Sequence, residues 1–347
     1  MAAVTTIKDI ARICGVGVST VSRAMNDHPD INRETKEKIQ AAIREYNYIP
    51  NNSARNLKRH ESNTIAVLIR GIYNVFITDM VTQGERYIKY TQYSLYLRQV
   101  YPEEDEVYIA IELVKEKRLK GIIFLGGMFD HSVEKLKQIE IPYIMMTVSP
   151  SPRISGMCSS VYVDDEMESY RIVDYLCRMG HRKIALITTP ESERSIGHLR
   201  AKGYFRALKD NGIGRDNRLV RRMSENTWEF SISSGYAVTK ELLADNTDFT
   251  AIYACSDYAA IGACKAICET GKTVPGDYSV AGYDGLEIGR FYNPPITTIS
   301  QPINDMLKKT FELLLDEING DETRQTVVFP GELLAGGSVR DITGTEN

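Results

Sequence analysis

The chain has 347 residues, 43% hydrophobic and 25% charged, which is too long for one ordinary core and has the balance of a globular protein of two or three folding units. No apolar run approaches the roughly 20 residues that cross a bilayer, and no basic-then-apolar leader opens the chain, so a membrane-spanning protein is not expected and a cytoplasmic one is. The net charge of −4 conceals a split: residues 1–60 carry ten Lys and Arg against six Asp and Glu, a surplus of +4 that leaves −8 for the rest. A basic head on an acidic body suggests that only the head meets a polyanion.

The head reads as three short helices. Thr6 followed by Asp9 is a capping-box start, and Ile7, Ile10, Ala11 and Cys14 then form one apolar face of a helix ending at Gly15. A second helix runs from about Val18 to Asn26, with Val21 and Met25 on one side, and Pro29 cannot continue it. A third follows Asn32 and carries Ile39, Ala42, Ile43 and Tyr46 inward. Ala11, Gly15 and Val21 fall where a helix-turn-helix needs a small residue, a positive-φ turn and an apolar contact. Ser19, Thr20, Ser22 and Arg23 then lie on the exposed side of helix two. Short hydroxyls there can reach phosphates and base edges, Val18 can meet a thymine methyl, and the Arg23 fork matches guanine O6 and N7.

The run Thr6-Ile-Lys-Asp-Ile-Ala-Arg, then Gly15-Val-Gly-Val-Ser-Thr-Val-Ser-Arg23 and Asn26, resembles the N-terminus of lac repressor-type (LacI/GalR) transcription regulators. Glu34-Thr-Lys and Tyr48-Ile-Pro-Asn-Asn-Ser-Ala-Arg-Asn-Leu57 continue the match. One departure is Gly17, where the family usually has Ser or Thr capping the recognition helix. The resemblance implies DNA contacts from Thr6, Val18, Ser19, Thr20, Ser22, Arg23 and Asn26. It also implies a hinge helix after Pro50 that packs against its dimer mate in the minor groove. There Leu57 would be the wedge between base steps, Ala54 would allow close approach, and Arg55 and Lys58 would lie near phosphate. So short a helix is marginal alone in water and is expected to order on DNA.

From Asn63 onward, buried-strand runs alternate with amphipathic helices. The expected strands are Thr64 to Ile69, Ser94 to Val100, Gly121 to Leu125, Tyr143 to Val148, Val161 to Val163, Lys183 to Ile187, Leu219 to Met223, Ala251 to Cys255 and Ser279 to Tyr283. Such alternation predicts two doubly wound parallel sheets with a ligand cleft at the strand C-terminal ends. The expected organisation is a small all-α helix-turn-helix domain at 1–49, a hinge helix and linker at 50–62, and an effector-binding, dimerising α/β body at 63–347. The resemblance makes that body periplasmic-binding-protein-like. Lobe 1 would hold 63–162 and 294–324, and lobe 2 would hold 163–293 and 325–347. The helix from Asn304 to Ile318 would return to the first lobe, and Val327 to Phe329 would close in the second.

The resemblance also supplies effector candidates: Phe76 and Phe230 as rings on the ligand (with Trp228 a rival to Phe230), Arg200 and Asp284 as binders of hydroxyls, and Asp164 and Asp257 as weaker candidates. A facing guanidinium and carboxylate can hold vicinal hydroxyls through charge-assisted bonds. Thr147 stands where many members have Asp, Ser256 stands where Asn is usual, and Val75 replaces a common Pro. The expected function is a homodimeric repressor of carbohydrate-utilisation genes that binds pseudo-palindromic operator DNA under a sugar or sugar-derivative effector. The alternative is a sugar- or purine-binding sensor acting as a corepressor-dependent regulator.

Catalysis is not expected. The chain lacks G-x-x-x-x-G-K-[ST], G-x-S-x-G and H-E-x-x-H, and its five His show no ligand spacing. Six cysteines are scattered without a C-x-x-C pair, which reads as reduced thiols, no metal and no cofactor. The tail from Asp341 has no leucine heptad, so a tetramer built by a C-terminal coiled coil is not expected either.

Overall fold

The computed structural model describes residues 6–25, 30–46, 63–71, 74–101, 103–128, 130–190, 196–223, 230–245 and 247–344. The chain divides into two compact units, Met1–Ser62 and Asn63–Asn347.

The first unit contains α1 (Ile7–Cys14), α2 (Val18–Met25) and α3 (Arg33–Glu45). The capping box is formed as expected: the Thr6 hydroxyl accepts from the Asp9 N–H, and the Asp9 carboxylate takes the Thr6 N–H at 3.0 Å. Gly15 ends α1 at φ 64°, the left-handed conformation that a side chain would resist. Asn32 caps α3 by accepting from the Thr35 N–H at 2.8 Å. Ile10, Val21 and Ile39, one from each helix, are fully buried and meet in a small core with Ala11, Cys14, Ala24 and Ala42. Tyr46 departs from the expected inward face: it lies just past the end of α3 and is exposed.

The second unit holds two parallel sheets. The first contains β1 (Thr64–Arg70), β2 (Ser94–Val100), β3 (Gly121–Leu125), β4 (Tyr143–Met146), β5 (Ser159–Val163) and β11 (Thr326–Phe329), in the order β11-β5-β4-β3-β1-β2. Its helices are α4 (Val75–Ile88), α5 (Glu106–Lys117) and α6 (Val133–Leu136). The second sheet is β7-β6-β8-β9, from β6 (Ile184–Thr188), β7 (Val220–Arg222), β8 (Ala251–Ala254) and β9 (Ser279–Ala281). Around it lie α7 (Asp165–Arg178), α8 (Ile196–Asp210), α9 (Ile232–Ala244), α10 (Asp257–Glu269) and the short α11 (Glu287–Phe291). β3, β4, β6 and β8 are buried along their whole length, as a parallel sheet covered on both faces requires. α12 (Ile303–Ile318) packs on β4, β5 and α4, so it belongs to the first lobe as the resemblance implied.

Two boundaries differ from the expected division. Val327–Phe329 does not close the second lobe: β11 runs parallel to β5 in the first sheet, with Val327 opposite Val161 and Phe329 opposite Val163. Val327 and Phe329 pack on the first core, and the strand covers the edge that β5 would otherwise expose. Residues 294–300 do not belong with the first lobe. β10 (Thr298–Ser300) pairs antiparallel with β12 (Glu332–Leu334), and Thr297 and Ser300 bridge to Ala281 and Asp284 beside the second sheet. The chain therefore crosses between lobes three times: after β5, between β10 and α12, and between β11 and β12.

Candidate functional site

In the head, helical periodicity decides which side chains of α2 can reach a partner. Val21 and Ala24 are buried against α1 and α3, which turns Val18, Ser19, Ser22 and Arg23 to the opposite side. Val18, Ser19 and Arg23 are exposed there, while Ser22 and Thr20 are half-buried. Gly17 starts the helix with backbone alone, its carbonyl accepting from the N–H groups of Thr20 and Val21. Arg23 does not stand free: its guanidinium pairs with Asp30 at 3.0 Å, both groups about half exposed. Thr6 is spent on the capping box, its hydroxyl donating to Asp9 at 2.6 Å. Asn26, Ala54, Arg55, Leu57 and Lys58 lie outside the described residues.

In the body, the carboxyl ends of the second sheet gather an ion cluster. Arg200, on α8, is buried; its Nε donates to Asp165 at 2.8 Å, Nη1 to the Cys255 carbonyl at 2.5 Å, and Nη2 to Asp284 at 3.3 Å. Its guanidinium lies 3.6 Å from the Tyr283 ring centroid, a cation–π stack that fixes its plane. Asp284 follows β9 at φ 108°, a strained conformation for a residue with a side chain, and its Oδ1 also accepts from Gln301 at 3.0 Å. Asp257 opens α10 and its Oδ2 accepts the Leu286 N–H at 2.7 Å. Three buried oxygens here, the Asp284 Oδ2, the Asp257 Oδ1 and the Tyr283 hydroxyl, have no hydrogen-bond partner. The consequence is electrostatic. Burial, against the opposing charge of Arg200, pushes Asp284 up to about 6; burial and then the Asp284 charge push Asp257 up to about 8.

The remaining candidates separate. Phe76 is buried with Ile69, Ile77 and Met80 in a cluster that also takes Leu286. Asp164 is exposed and caps α7, its Oδ1 accepting the Met167 N–H at 3.0 Å. Phe230 is half-buried against the second core, directly before the Ser231 cap of α9. Trp228 lies outside the described residues. Thr147 is left-handed at φ 72°, and its hydroxyl accepts the Gly126 N–H at 3.1 Å.

One cluster was not foreseen. At the carboxyl end of the first sheet, Glu106 is buried between Arg70 at 3.2 Å and His131 at 2.9 Å, and also accepts the Met128 N–H. Burial alone would raise its carboxyl, but the His131 hydrogen bond and the charges of His131 and Arg70 hold it below the usual range. Its sequence signal was weak, because the group comes together from the end of β1, the start of α5 and the connection after β3.

Comparison with known proteins agrees with this arrangement. Residues 6–51 match the family described as bacterial regulatory proteins, lacI family, and residues 173–339 match a periplasmic binding protein-like domain. The HTH-type transcriptional regulator MalR of Clostridium butyricum is 37% identical over 331 residues, covering 94% of this chain and 97% of that one. A lac repressor dimer bound to operator and the anti-inducer ONPF superposes with a TM-score of 0.77 at 26% identity, over 97% of this chain and all of that one. The transcriptional regulator CelR in complex with cellobiose gives 0.70 at 26% identity, over 96% and 99%. The relatives are transcriptional regulators rather than enzymes, and among the described residues no helix is long and apolar enough to cross a membrane. With a helix-turn-helix head and a two-lobed binding-protein body joined in one chain, this protein belongs to the lacI family of DNA-binding transcriptional regulators.

Proposed function

We propose that the chain is a homodimeric repressor in which two copies of α2 read successive major grooves of a pseudo-palindromic operator. A sugar or sugar derivative at the Arg200–Asp284 centre controls that binding. The single observation that carries the DNA half is the one exposed face of α2, with an apolar, a hydroxyl and a guanidinium group at Val18, Ser19 and Arg23. Thr20, Ser22 and Asn26 supply phosphate contacts, Thr6 fixes the start of α1 through its capping box, and Ala54, Arg55, Leu57 and Lys58 form the minor-groove hinge. The domain division, head to 49, hinge to 62 and body beyond, follows the same reading.

The effector half rests on two acceptors that lack donors, Asp284 Oδ2 and Asp257 Oδ1. Hydroxyl groups are the donors such oxygens need, and the cellobiose of the CelR complex is a ligand of that kind. Arg200 orients Asp284, Phe230 offers an apolar ring, and Asp164 stands at the start of α7. The protein works in the cytoplasm, by binding and without catalysis.

Selection of bound duplexes from a random-sequence pool, with the full chain and with a chain beginning at Asn63, tests the DNA half. The full chain is expected to enrich a two-fold-related site and the shortened chain none. Arg23→Ala is expected to cost about 1–3 kcal/mol and relax preference at one base per half-site. Uniform weakening on all sequences would assign Arg23 to a phosphate instead.

A further inference from the structure

The first turn of α7 grips two of the three crossovers between the lobes, from residues that share one face of the helix. Asp165 stands directly after the first crossover and accepts from Arg200 Nε at 2.8 Å. Glu168, three residues on, reaches the third crossover: its Oε1 accepts the Gly331 N–H at 3.0 Å. Arg171, three residues further, donates from Nη1 to the Gly331 carbonyl at 2.9 Å and to Glu168 Oε2 at 2.6 Å. Both polar groups of the Gly331 backbone are thereby bound to one helix. The approach is close: a Cβ on Gly331 would lie 2.6 Å from Ile299 and 3.0 Å from the Glu168 carboxyl. Glu168 is buried, so solvent screens these charge-assisted bonds little.

The second crossover is held from the Arg200–Asp284 centre itself. Gln301 Nε2 donates to Asp284 Oδ1 at 3.0 Å, the Gln301 N–H donates to the Asp284 carbonyl at 3.4 Å, and Ser300 bridges to Asp284. Asp284 also accepts from Arg200 at 3.3 Å. A continuous set of bonds therefore runs from Gln301 through Asp284, Arg200 and Asp165 into α7. One turn of that helix carries it on to Glu168 and Gly331. The lobe-2 end of every crossover is tied to one network. Just beyond the ties, on the lobe-1 side, lie Val163–Asp164, Gln301–Pro302 and Phe329–Pro330. The two prolines have no N–H with which strand pairing could continue across the crossover.

We propose that Glu168 is a positioning residue that, with Arg171, clamps the third crossover to α7. The lobe-2 ends of the three crossovers then move as one body with the Arg200–Asp284 centre, and the lobes turn only at 163–164, 301–302 and 329–330. The use of the clamp rests on the effector reading of that centre, since a ligand that displaces Asp284 or Arg200 is felt at all three crossovers together. Its existence does not.

Distances between spin labels on the full chain, without sugar or DNA, test it. The labels go on Lys137→Cys in lobe 1 and Lys209→Cys in lobe 2, both exposed, in a Cys268→Ser background whose other five cysteines are buried. Excess unlabelled chain keeps the measured pair within one protomer. Glu168→Ala is expected to widen the distance distribution about twofold and to speed exchange of the Gly331 amide about tenfold. Glu168→Gln keeps an oxygen for the Gly331 N–H and should fall between. Gln301→Ala, which frees the second crossover, should also widen the distribution. Glu166→Ala, on the same turn but paired with Arg206 on α8, should leave width and exchange unchanged. A merely structural Glu168 would lower the unfolding midpoint on substitution and leave the folded-state width alone. A wild-type width in Glu168→Ala, or equal widening in Glu166→Ala, would overturn the proposal. Should Glu168→Ala fail to fold, Glu168→Gln and Arg171→Met carry the test, and wild-type widths in both would overturn it. With no ligand present, a failed clamp leaves the effector assignment standing, and a wrong effector assignment leaves the clamp standing.

Discussion

Each lobe of the body buries one ion cluster at the carboxyl end of its sheet, and the two clusters balance their charges in opposite ways. In the first lobe, Glu106 is the one carboxylate set between Arg70 and His131, and both its oxygens accept hydrogen bonds. In the second lobe, one guanidinium, Arg200, serves Asp165 and Asp284 directly, with Asp257 close by, and two carboxylate oxygens accept nothing. A satisfied network fixes loops relative to one another. A network short of donors carries a standing cost, which a ligand bringing hydroxyl groups would relieve. The first cluster therefore reads as structural and the second as receptive.

The largest effect should follow from Arg200→Met. Removing the guanidinium leaves buried carboxylates facing each other, and loss of one partner from a buried ion pair costs about 3–5 kcal/mol. Urea unfolding should show that loss, and sugar binding should go with it. If the variant kept wild-type stability, the cluster would not be held by its ion pairs, and the contrast between the lobes would lose its basis.

Glu106→Gln comes next, at about 3 kcal/mol, because it puts an amide in place of the buried carboxylate between the half-buried Arg70 and the buried His131. The comparison requires that this cost appear in the unfolding midpoint and not in the affinity for sugar per folded molecule. A Glu106→Gln protein that was stable yet failed to bind sugar would make the first cluster part of the receptor as well.

How much of this could be seen in the chain depended on how far apart the partners lie. Thr6 with Asp9, and Gly15 at its turn, act within a few residues, so the head was legible almost residue by residue. The β-branched runs of β1, β3 and β6 identified themselves because strands buried on both faces need continuous apolar sequence. β11 misled, since Val327 and Phe329 are a short alternating pair whose partner strand lies some 166 residues earlier, and nothing local selects the sheet. Glu106 was invisible for the same reason: Arg70 is 36 residues away and reaches it only through the fold. A family position says where a ring such as Phe76 sits in the chain, whereas burial among Ile69, Ile77 and Met80 says what it touches. Arg200 and Asp284 were matched correctly as neighbours, but Asp165, which takes the shortest carboxylate bond to Arg200, had no signal beyond its place beside Asp164.

Asp284→Asn tests the receptive oxygen with less damage. The amide oxygen can keep the bonds from Arg200 and Gln301, while the amide nitrogen replaces the oxygen that lacks a partner. Stability should be nearly unchanged. Sugar affinity should fall by about 1.5–3 kcal/mol, the worth of a hydrogen bond to a charged group. Operator affinity without sugar should stay within about threefold, because the head is untouched. Full retention of the sugar response would move the effector away from Asp284.

The smallest effect is a slope with pH, and it is where the two clusters should differ in sign. Asp284 and Asp257 are raised by burial to about 6 and about 8, from an ordinary value of 3.8. The folded protein therefore holds protons that the unfolded chain has released, and the stability these groups contribute at low pH is lost as pH rises from about 4 through 8. Glu106 is lowered by its partners, so its contribution runs the other way: present above the ordinary range of a carboxylate and lost as pH falls below it. Between pH 6 and 8 the second cluster governs, and each pH unit should cost on the order of 1 kcal/mol through Asp257. Asp257→Asn removes that titration while leaving an oxygen to accept the Leu286 N–H, so its unfolding free energy should be flatter over this window. A bound sugar should act in the same direction, since hydroxyl donors favour the charged carboxylates. Binding near pH 7 should then release protons, visible as a dependence of the calorimetric heat on the ionisation enthalpy of the buffer. Equal slopes for the wild type and Asp257→Asn, with no proton release on binding, would mean that these carboxylates are already satisfied in solution and that the second cluster is as closed as the first.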